Sequence, residues 1–380
     1  MISTCLDILE RKIIEHIGPV AVSALADDVI RLSASFTEER DELPHEYLDD
    51  PRSLRAYLAG FLLTNAAKVL HCLEEAFETG LIPAGNFFRI LDLGCGPGTA
   101  SLAASLYLSS RFPSVRVEFT GVDRSGAALA EADRLFQRIG SVRHRFKGCA
   151  GKIDADRPSD GLFDIVIAAN VLNEFRGRET PLKLCRGILG NRLLPGGLLV
   201  VIDPALKKTT RPLMELRDEL ASESAVPLSP CLHGRACPML SANERDWCHF
   251  YLEWQRPRLI EQLDSLTGLD HRLIKMAYLI LANKGEGNRE RGAGIYRVVS
   301  SPIVSKGKRE LVLCGSDGTL VRAMRQNKHA SESNEGFELA RRGDIVSMGA
   351  SGKLLPGDSF DVVRRWQRPP KERSDKSRES

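Results

Sequence analysis

No run of 18 apolar residues occurs in the 380-residue chain, which argues against a membrane-spanning helix. The start, Met1 to Ile8, lacks the basic-then-apolar order of a secretory signal, and Asp7, Glu10 and Glu15 argue against a mitochondrial presequence. There is no internal repeat. An even, regularly spaced cysteine set is also missing. The nine cysteines are odd in number and unevenly spread, and are expected as reduced thiols or metal ligands. Neither sign of charge dominates, and a net charge of +3 names no partner by itself. What remains is a 43% hydrophobic share, enough for a proper core, in a chain with room for two or three domains. These absences lead to the expectation of a soluble, cytoplasmic protein with no membrane partner.

The dinucleotide-binding spacing Gly-x-Gly-x-x-Gly is absent too. In its place stands Ile90-Leu91-Asp92-Leu93-Gly94-Cys95-Gly96-Pro97-Gly98-Thr99. An apolar run ending in an acid and a Gly-x-Gly-x-Gly turn reads as a first β-strand passing into a helix. Glycines let backbone N–H groups approach a ligand closely, and the helix N-terminus adds a positive dipole end. Asp92, Gly94, Gly96 and Gly98 are the candidate cofactor-binding residues of this turn. Val115 to Val122 is the next β-like run, and Asp123 at its end can accept hydrogen bonds from both ribose hydroxyls of a nucleoside. The combination resembles motif I and the acidic strand-2 motif of the S-adenosylmethionine-dependent methyltransferases with a Rossmann-like fold. That resemblance implies S-adenosylmethionine as cofactor.

The surrounding chain fits an α/β architecture: a Rossmann-like class I methyltransferase sheet with added segments. Residues 1–84 form a helical N-terminal segment. Leu6, Leu9, Ile13 and Ile17 recur at helical spacing, and Leu54, Leu58, Leu62, Val69, Leu73 and Phe77 mark one longer amphipathic helix, capped by Ser53 and stopped at Gly80. The acid-rich stretch 38–52 reads as a loop, and the whole segment as a helical cap with no residue-level sign of contact with substrate. From residue 85 strands and helices alternate, with strands expected at 88–93, 115–122, 143–147, 163–169 and 197–203. Tyr278–Leu281 and Ile295–Val299 are expected as the sixth and seventh strands, and the resemblance implies that the last of them is antiparallel. This methyltransferase-like domain, 85–300, holds a cysteine-rich insertion at 224–256. A basic β-rich extension follows at 301–365 and contributes Cys314, and 366–380 reads as a disordered tail.

Four cysteines stand apart from the sheet: Cys231, Cys237, Cys248 and Cys314, separated by 5, 10 and 65 residues. Thiolates are soft ligands, so on spacing alone either zinc or an iron–sulfur cluster suits them. Cys5, Cys72, Cys95, Cys149 and Cys185 read as small buried apolar residues. The segments Pro230-Cys231-x-His233-x-x-x-Cys237-Pro238, Trp247-Cys248-His249-Phe250 and the stretch from Arg297 to Cys314-x-x-Asp317-Gly318 look like those of the ribosomal small-subunit methyltransferase-like family, the mitochondrial methyltransferase-like protein 17 and its bacterial relatives. The resemblance implies a 4Fe-4S cluster held by Cys231, Cys237, Cys248 and Cys314, and association with the small ribosomal subunit during its assembly. His233 and His249 stand by as substitutes should one thiolate be misassigned.

Catalytic residues are less legible. Substrate-side groups in this fold follow the fourth strand, which makes Asn170, Asn173 and Glu174 the candidates. The Asn/Asp-Pro-Pro-aromatic segment that grips an exocyclic amine is missing, and Pro230-Cys231 is assigned to metal rather than to cytosine-C5 chemistry. The enzyme reading therefore leans toward a methyltransferase while leaving open that transfer has been lost. Residues 284–329 carry ten Lys/Arg against four Asp/Glu. Arg291, Arg297, Lys306, Lys308, Arg309, Arg322, Arg325 and Lys328 form a basic β surface suited to phosphate backbones. With the resemblance, the expected partners are the small ribosomal subunit and its rRNA, with no DNA, acting in ribosome assembly and translation. The alternative is a small-molecule methyltransferase with a structural zinc.

Overall fold

Apolar residues at helical spacing give the described part of the first 80 residues four α-helices: α1 (Ile2–Ile17), α2 (Val22–Thr37), α3 (Pro51–Gly60) and α4 (Leu62–Glu78). The computed structural model describes residues 1–37, 47–82, 85–153, 161–223, 225–283, 292–349 and 352–367. The single helix expected from Leu54 to Phe77 is instead broken at Phe61, with its two halves bent by 51°. Packing explains the break. A Cβ on Gly60 would lie 3.0 Å from Val29 of α2, so the chain turns where α2 crosses it, and the Phe61 ring stacks on Tyr57. The cap is Asp50, whose carboxylate accepts from Ser53 N (2.8 Å) and Ser53 Oγ (2.7 Å), with Pro51 at the first helical position. Of the loop expected at 38–52, residues 38–46 lie outside the described residues, and Tyr47–Asp49 forms a 3₁₀ turn. Among the described residues no single helix is long and apolar enough to cross a membrane.

The first sheet is built from β1 (Phe87–Leu93), β2 (Arg116–Asp123), β3 (His144–Ala150), β4 (Phe163–Ala169) and β5 (Leu193–Asp203). These five are parallel and connected through α5 (Thr99–Arg111), α6 (Gly126–Ile139) and α7 (Glu179–Asn191). Central strands such as β4 are buried on both faces, as a sheet covered by helices on each side requires. After β5 come α8 (Lys207–Glu223), β6 (Ala225–Ser229), α9 (Pro238–Ala242), β7 (Phe250–Glu253), α10 (Arg258–Thr267) and β8 (Leu273–Asn283). The strand order is β3-β2-β1-β4-β5-β8-β6, with β8 antiparallel to both neighbours and β7 added on β8.

Here the sequence expectation needs one correction. The strand through Tyr278–Leu281 is present, but it is itself the antiparallel one, and the position beside it belongs to β6 rather than to Ile295–Val299. Ile295–Val298 is β9, which pairs with β11 (Lys308–Gly315) and β13 (Ile345–Met348) in a second sheet. A four-residue apolar run shows that a strand exists without naming its partners. The second sheet also contains β10 (Ile303–Ser305), β12 (Leu320–Gln326), β14 (Lys353–Leu354) and β15 (Phe360–Arg364), and α11 (Gly336–Leu339) packs on β15. Its core is formed by Leu311, Leu313, Phe337, Val346 and Phe360.

One buried polar cluster joins the two sheets and the helical segment. Glu75 of α4, 3% exposed, accepts from Arg297 Nη2 at 2.9 Å, from both terminal nitrogens of Arg364 at 2.8 Å and from Ser229 Oγ at 2.7 Å. Beside it the Trp366 ring packs on His71, Phe250 and Tyr278.

Candidate cofactor turn and cysteine cavity

The glycine turn leaves β1 and enters α5 with Gly94, Gly96 and Gly98 at φ +65°, +50° and +80°, a region costly for side chains with a Cβ. Two of the three also admit close packing: a Cβ at Gly94 would lie 2.7 Å from Val171 Cγ2, and one at Gly98 would lie 3.1 Å from Ala132 Cβ. Asp123 holds the turn against β2. Its Oδ2 accepts from Gly96 N at 2.8 Å and its Oδ1 from Ser125 N at 2.9 Å. Asp92 faces the other way, accepting from Ser101 N (3.0 Å) and Ser101 Oγ (2.7 Å) inside the first turns of α5. Burial raises its carboxyl to about 7 despite those bonds.

The N-terminal segment covers this turn through residues that the sequence reading did not single out. Leu48 lies over Gly96, and Asp49 accepts from Ser125 Oγ at the start of α6. The Tyr57 hydroxyl sits 3.4 Å from Thr99 Oγ1. At the carboxyl end of β4, Asn170 has φ +60° and donates its backbone N–H to Ile202 O at 2.7 Å. Asn173 donates from Nδ2 to Asp203 at the end of β5, which leaves its buried Oδ1 without a partner. Glu174 is exposed. Asn173 and Asp203 border a cavity of about 260 Å³ that Phe175, Arg178, Lys208 and Thr209 also line.

A second cavity gathers Cys231, Cys237, Cys248 and Cys314, although 65 residues separate the last two. Each thiol arrives from a different element. Cys231 follows β6, Cys237 begins α9, Cys248 precedes β7 and Cys314 lies on β11. Arg217 of α8 organises the loop between the first two by donating to the carbonyls of His233 and Arg235 and to Asp218. Asp218 in turn accepts the Cys237 N–H at 2.8 Å. Cys248 N reaches Met214 Sδ at 3.3 Å, and Cys314 Sγ lies 3.6 Å from His233 Nε2. All nine cysteines are free thiols. Burial, and then Cys231, push the Cys237, Cys248 and Cys314 thiols above their ordinary value. A metal must therefore draw protons off them to be held. Among the described residues no group of three or more His, Cys, Asp or Glu side chains is close enough to hold a single metal ion. The four soft sulfur donors line one cavity together with the buried guanidiniums of Arg217 and Arg297.

The basic strands turn out partly internal. Arg297 and Arg325 are buried at 1% and 6% exposure, so they do not belong to a phosphate-facing surface. Arg309 and Arg325 pair with Glu338, and Lys308 and Arg322 with Glu310. Lys306 and Lys328 are exposed and flank the hydrogen bond from Asn327 N to Gly307 O. Arg291 lies outside the described residues.

A parallel sheet with one antiparallel strand near its edge, a glycine turn after the first strand and an acid after the second define a protein of the Rossmann-like α/β class. Within that class, this chain belongs to the mitochondrial small ribosomal subunit Rsm22 family, whose sequence model matches residues 55–345. Similar solved structures include the plantazolicin methyltransferase BpumL in complex with SAH (15% identity, TM-score 0.35, covering 69% of this chain and 97% of that one). Others are the magnesium protoporphyrin IX methyltransferase ChlM from Synechocystis PCC 6803 with bound SAM (15%, TM-score 0.35, covering 48% and 86%) and an S-adenosylmethionine-dependent methyltransferase from Clostridium acetobutylicum ATCC 824 (12%, TM-score 0.31, covering 66% and 96%). Among curated proteins none matches this chain.

Proposed function

We propose that this chain binds S-adenosylmethionine at the glycine turn and acts with the small ribosomal subunit and its rRNA, while Cys231, Cys237, Cys248 and Cys314 hold a 4Fe-4S cluster. The observation that carries the reading is family membership over residues 55–345, a span that includes the glycine turn, Asp123 and all four cysteines. In this reading the backbone of Gly94, Gly96 and Gly98 borders the cofactor, Asp123 receives the ribose hydroxyls, and Asp92 stands behind the turn to fix the start of α5. Methyl transfer needs nucleophile, methyl and sulfur in line more than it needs acid–base help. Asn170, Asn173 and Glu174 lie at the edge where an acceptor would enter, and the unpartnered Asn173 Oδ1 suits an incoming N–H. A bound cluster would supply a covalent tie between the 231–248 loop and β11. The family's description places its ribosome in mitochondria, so the compartment proposed is that of the ribosome served rather than simply the cytoplasm.

Calorimetry of the anaerobically purified protein tests the cofactor. Asp123→Ala should bind S-adenosylmethionine roughly 10- to 100-fold more weakly than wild type, the cost of one charged acceptor. Equal affinities would remove Asp123 from the site, and no binding by wild type would remove the cofactor. Sedimentation of cell extract and salt-dependent binding to small-subunit RNA test the partner. Lys306→Ala combined with Lys328→Ala should flatten the slope of log affinity against log salt by about two units, with cofactor affinity unchanged. An RNA affinity that ignores salt, in a protein that never travels with small subunits, would leave a small-molecule methyltransferase as the better reading.

A further inference from the structure

Among the described residues β7 pairs with β8 alone, which leaves its other edge and one face open. Phe250 and Leu252 are buried, so Tyr251 between them faces outward, as the two-residue period of a strand requires. Its ring begins a ladder that runs back through His249 to Trp247. The Trp247 and His249 rings stack with centroids 5.3 Å apart, and those of His249 and Tyr251 meet edge-on at 5.2 Å. All three are half-buried rather than enclosed. Hydrogen bonds fix the ladder at both ends. Trp247 Nε1 donates to Ala205 O at 2.9 Å, and His249 Nε2 lies 3.0 Å from Tyr251 Oη.

Cations flank the rings from three other elements. Arg342, ahead of β13, lies 4.9 Å from the centre of the Tyr251 ring and donates to His249 O at 2.9 Å. Lys275 stands directly across from Tyr251 on β8, exposed, with its Nζ 5.8 Å from the same ring. Beyond Ala205 the exposed Lys207 and Lys208 open α8. Two of the acids nearby are engaged: Glu253 with Arg341 at 3.0 Å and Asp246 with Asn243 at 2.9 Å, while Glu244 is exposed. Rings in a row with cations beside them match the two demands of a single nucleic-acid strand, whose bases offer π-faces and whose phosphates need neutralising. A duplex keeps its bases stacked on one another and would use the cations alone.

We infer that Trp247, His249 and Tyr251 form a stacking platform for an unpaired segment of RNA, with Lys275 and Arg342 along its phosphates. The inference rests on the small-subunit RNA reading above and deepens it, naming the form of RNA and a surface apart from Lys306 and Lys328. Ala205 follows the first sheet and Arg342 belongs to the second, so a strand bound here touches both.

Fluorescence anisotropy of the full chain with an unstructured RNA of about 12 nucleotides, and with a duplex of the same length, tests the platform. Tyr251→Leu should lower affinity for the single strand roughly 5- to 100-fold, while duplex affinity stays within about twofold. Tyr251→Phe keeps the ring face and should bind like wild type. In the wild type, single-stranded RNA carrying thiouridine should crosslink under ultraviolet light within residues 247–251, a readout that needs no variant to fold. Equal loss for both RNAs in Tyr251→Leu, or loss for neither, overturns the inference. So does an equal loss in Tyr251→Phe, which would trace the effect to the hydroxyl at His249, and so do crosslinks confined to other segments. A wild type that binds the duplex but not the single strand would reject the platform while sparing the RNA reading. A wild type that binds neither would reject both.

Discussion

Glu75→Ala should cost about 3–5 kcal/mol of folding stability, because it strands a fully buried guanidinium, Arg297, and a largely covered one, Arg364, without their shared carboxylate. Urea unfolding read by tryptophan fluorescence measures the change, and Trp366 sits close enough to Glu75 through His71 to report it. Replacing Glu75 and Arg297 together by leucine and methionine should cost less than Glu75→Ala alone, since only the partly exposed Arg364, and no longer the fully buried Arg297, is then left without its carboxylate. A loss below about 1 kcal/mol for Glu75→Ala would show the cluster to be more hydrated than its geometry indicates. The pH dependence follows from the same contacts. Burial alone would raise the Glu75 carboxyl, but Arg297 and Arg364 reverse this and hold it well below the usual carboxylate range. A folded-state value below the unfolded one means that the stabilisation is fully present above roughly pH 4.3 and is lost as the pH falls further.

Cys314→Ser carries the second large effect. If the proposed cluster is present, anaerobic wild type should be brown, with about four iron and about four sulfide per chain, and the variant should lose most of both. The variant should also become more susceptible to protease within 231–248, because Cys314 is the ligand that reaches across the 65-residue gap. Cys185→Ser, on α7 away from the cavity, supplies the control and should keep its iron. Unchanged iron in Cys314→Ser would delete it from the ligand set. Colourless wild type with one zinc would replace the cluster while keeping the site.

The sequence made the glycine turn legible because its chemistry is local: three glycines, an acid and two apolar runs must all fall within some 35 residues. The same holds for β4, whose apolar run from Ile165 to Ala169 is long relative to its strand. Glu75 gave no such signal. It looks like an ordinary helix charge until partners from residues 297 and 364 arrive. The arginines of the basic strands misled for a related reason. A charge count records Arg297 and Arg325 as positive without recording that each is turned inward to a carboxylate. The reach of Cys314 to the other cysteines came from family resemblance, since no rule of spacing extends over so long a gap.

Glu75 also sets an order of events for a chain that emerges from its N-terminus. α4 is synthesised early, but the two guanidiniums that neutralise its buried acid come from residues 297 and 364, and the indole that closes over His71 comes from residue 366. The growing chain therefore carries an unmatched carboxylate on a helix destined for the interior until residues 297 and 364 have been made. Final closure of the first helices waits on β15 and Trp366, so nascent chains of this protein have reason to need shelter until those residues have emerged.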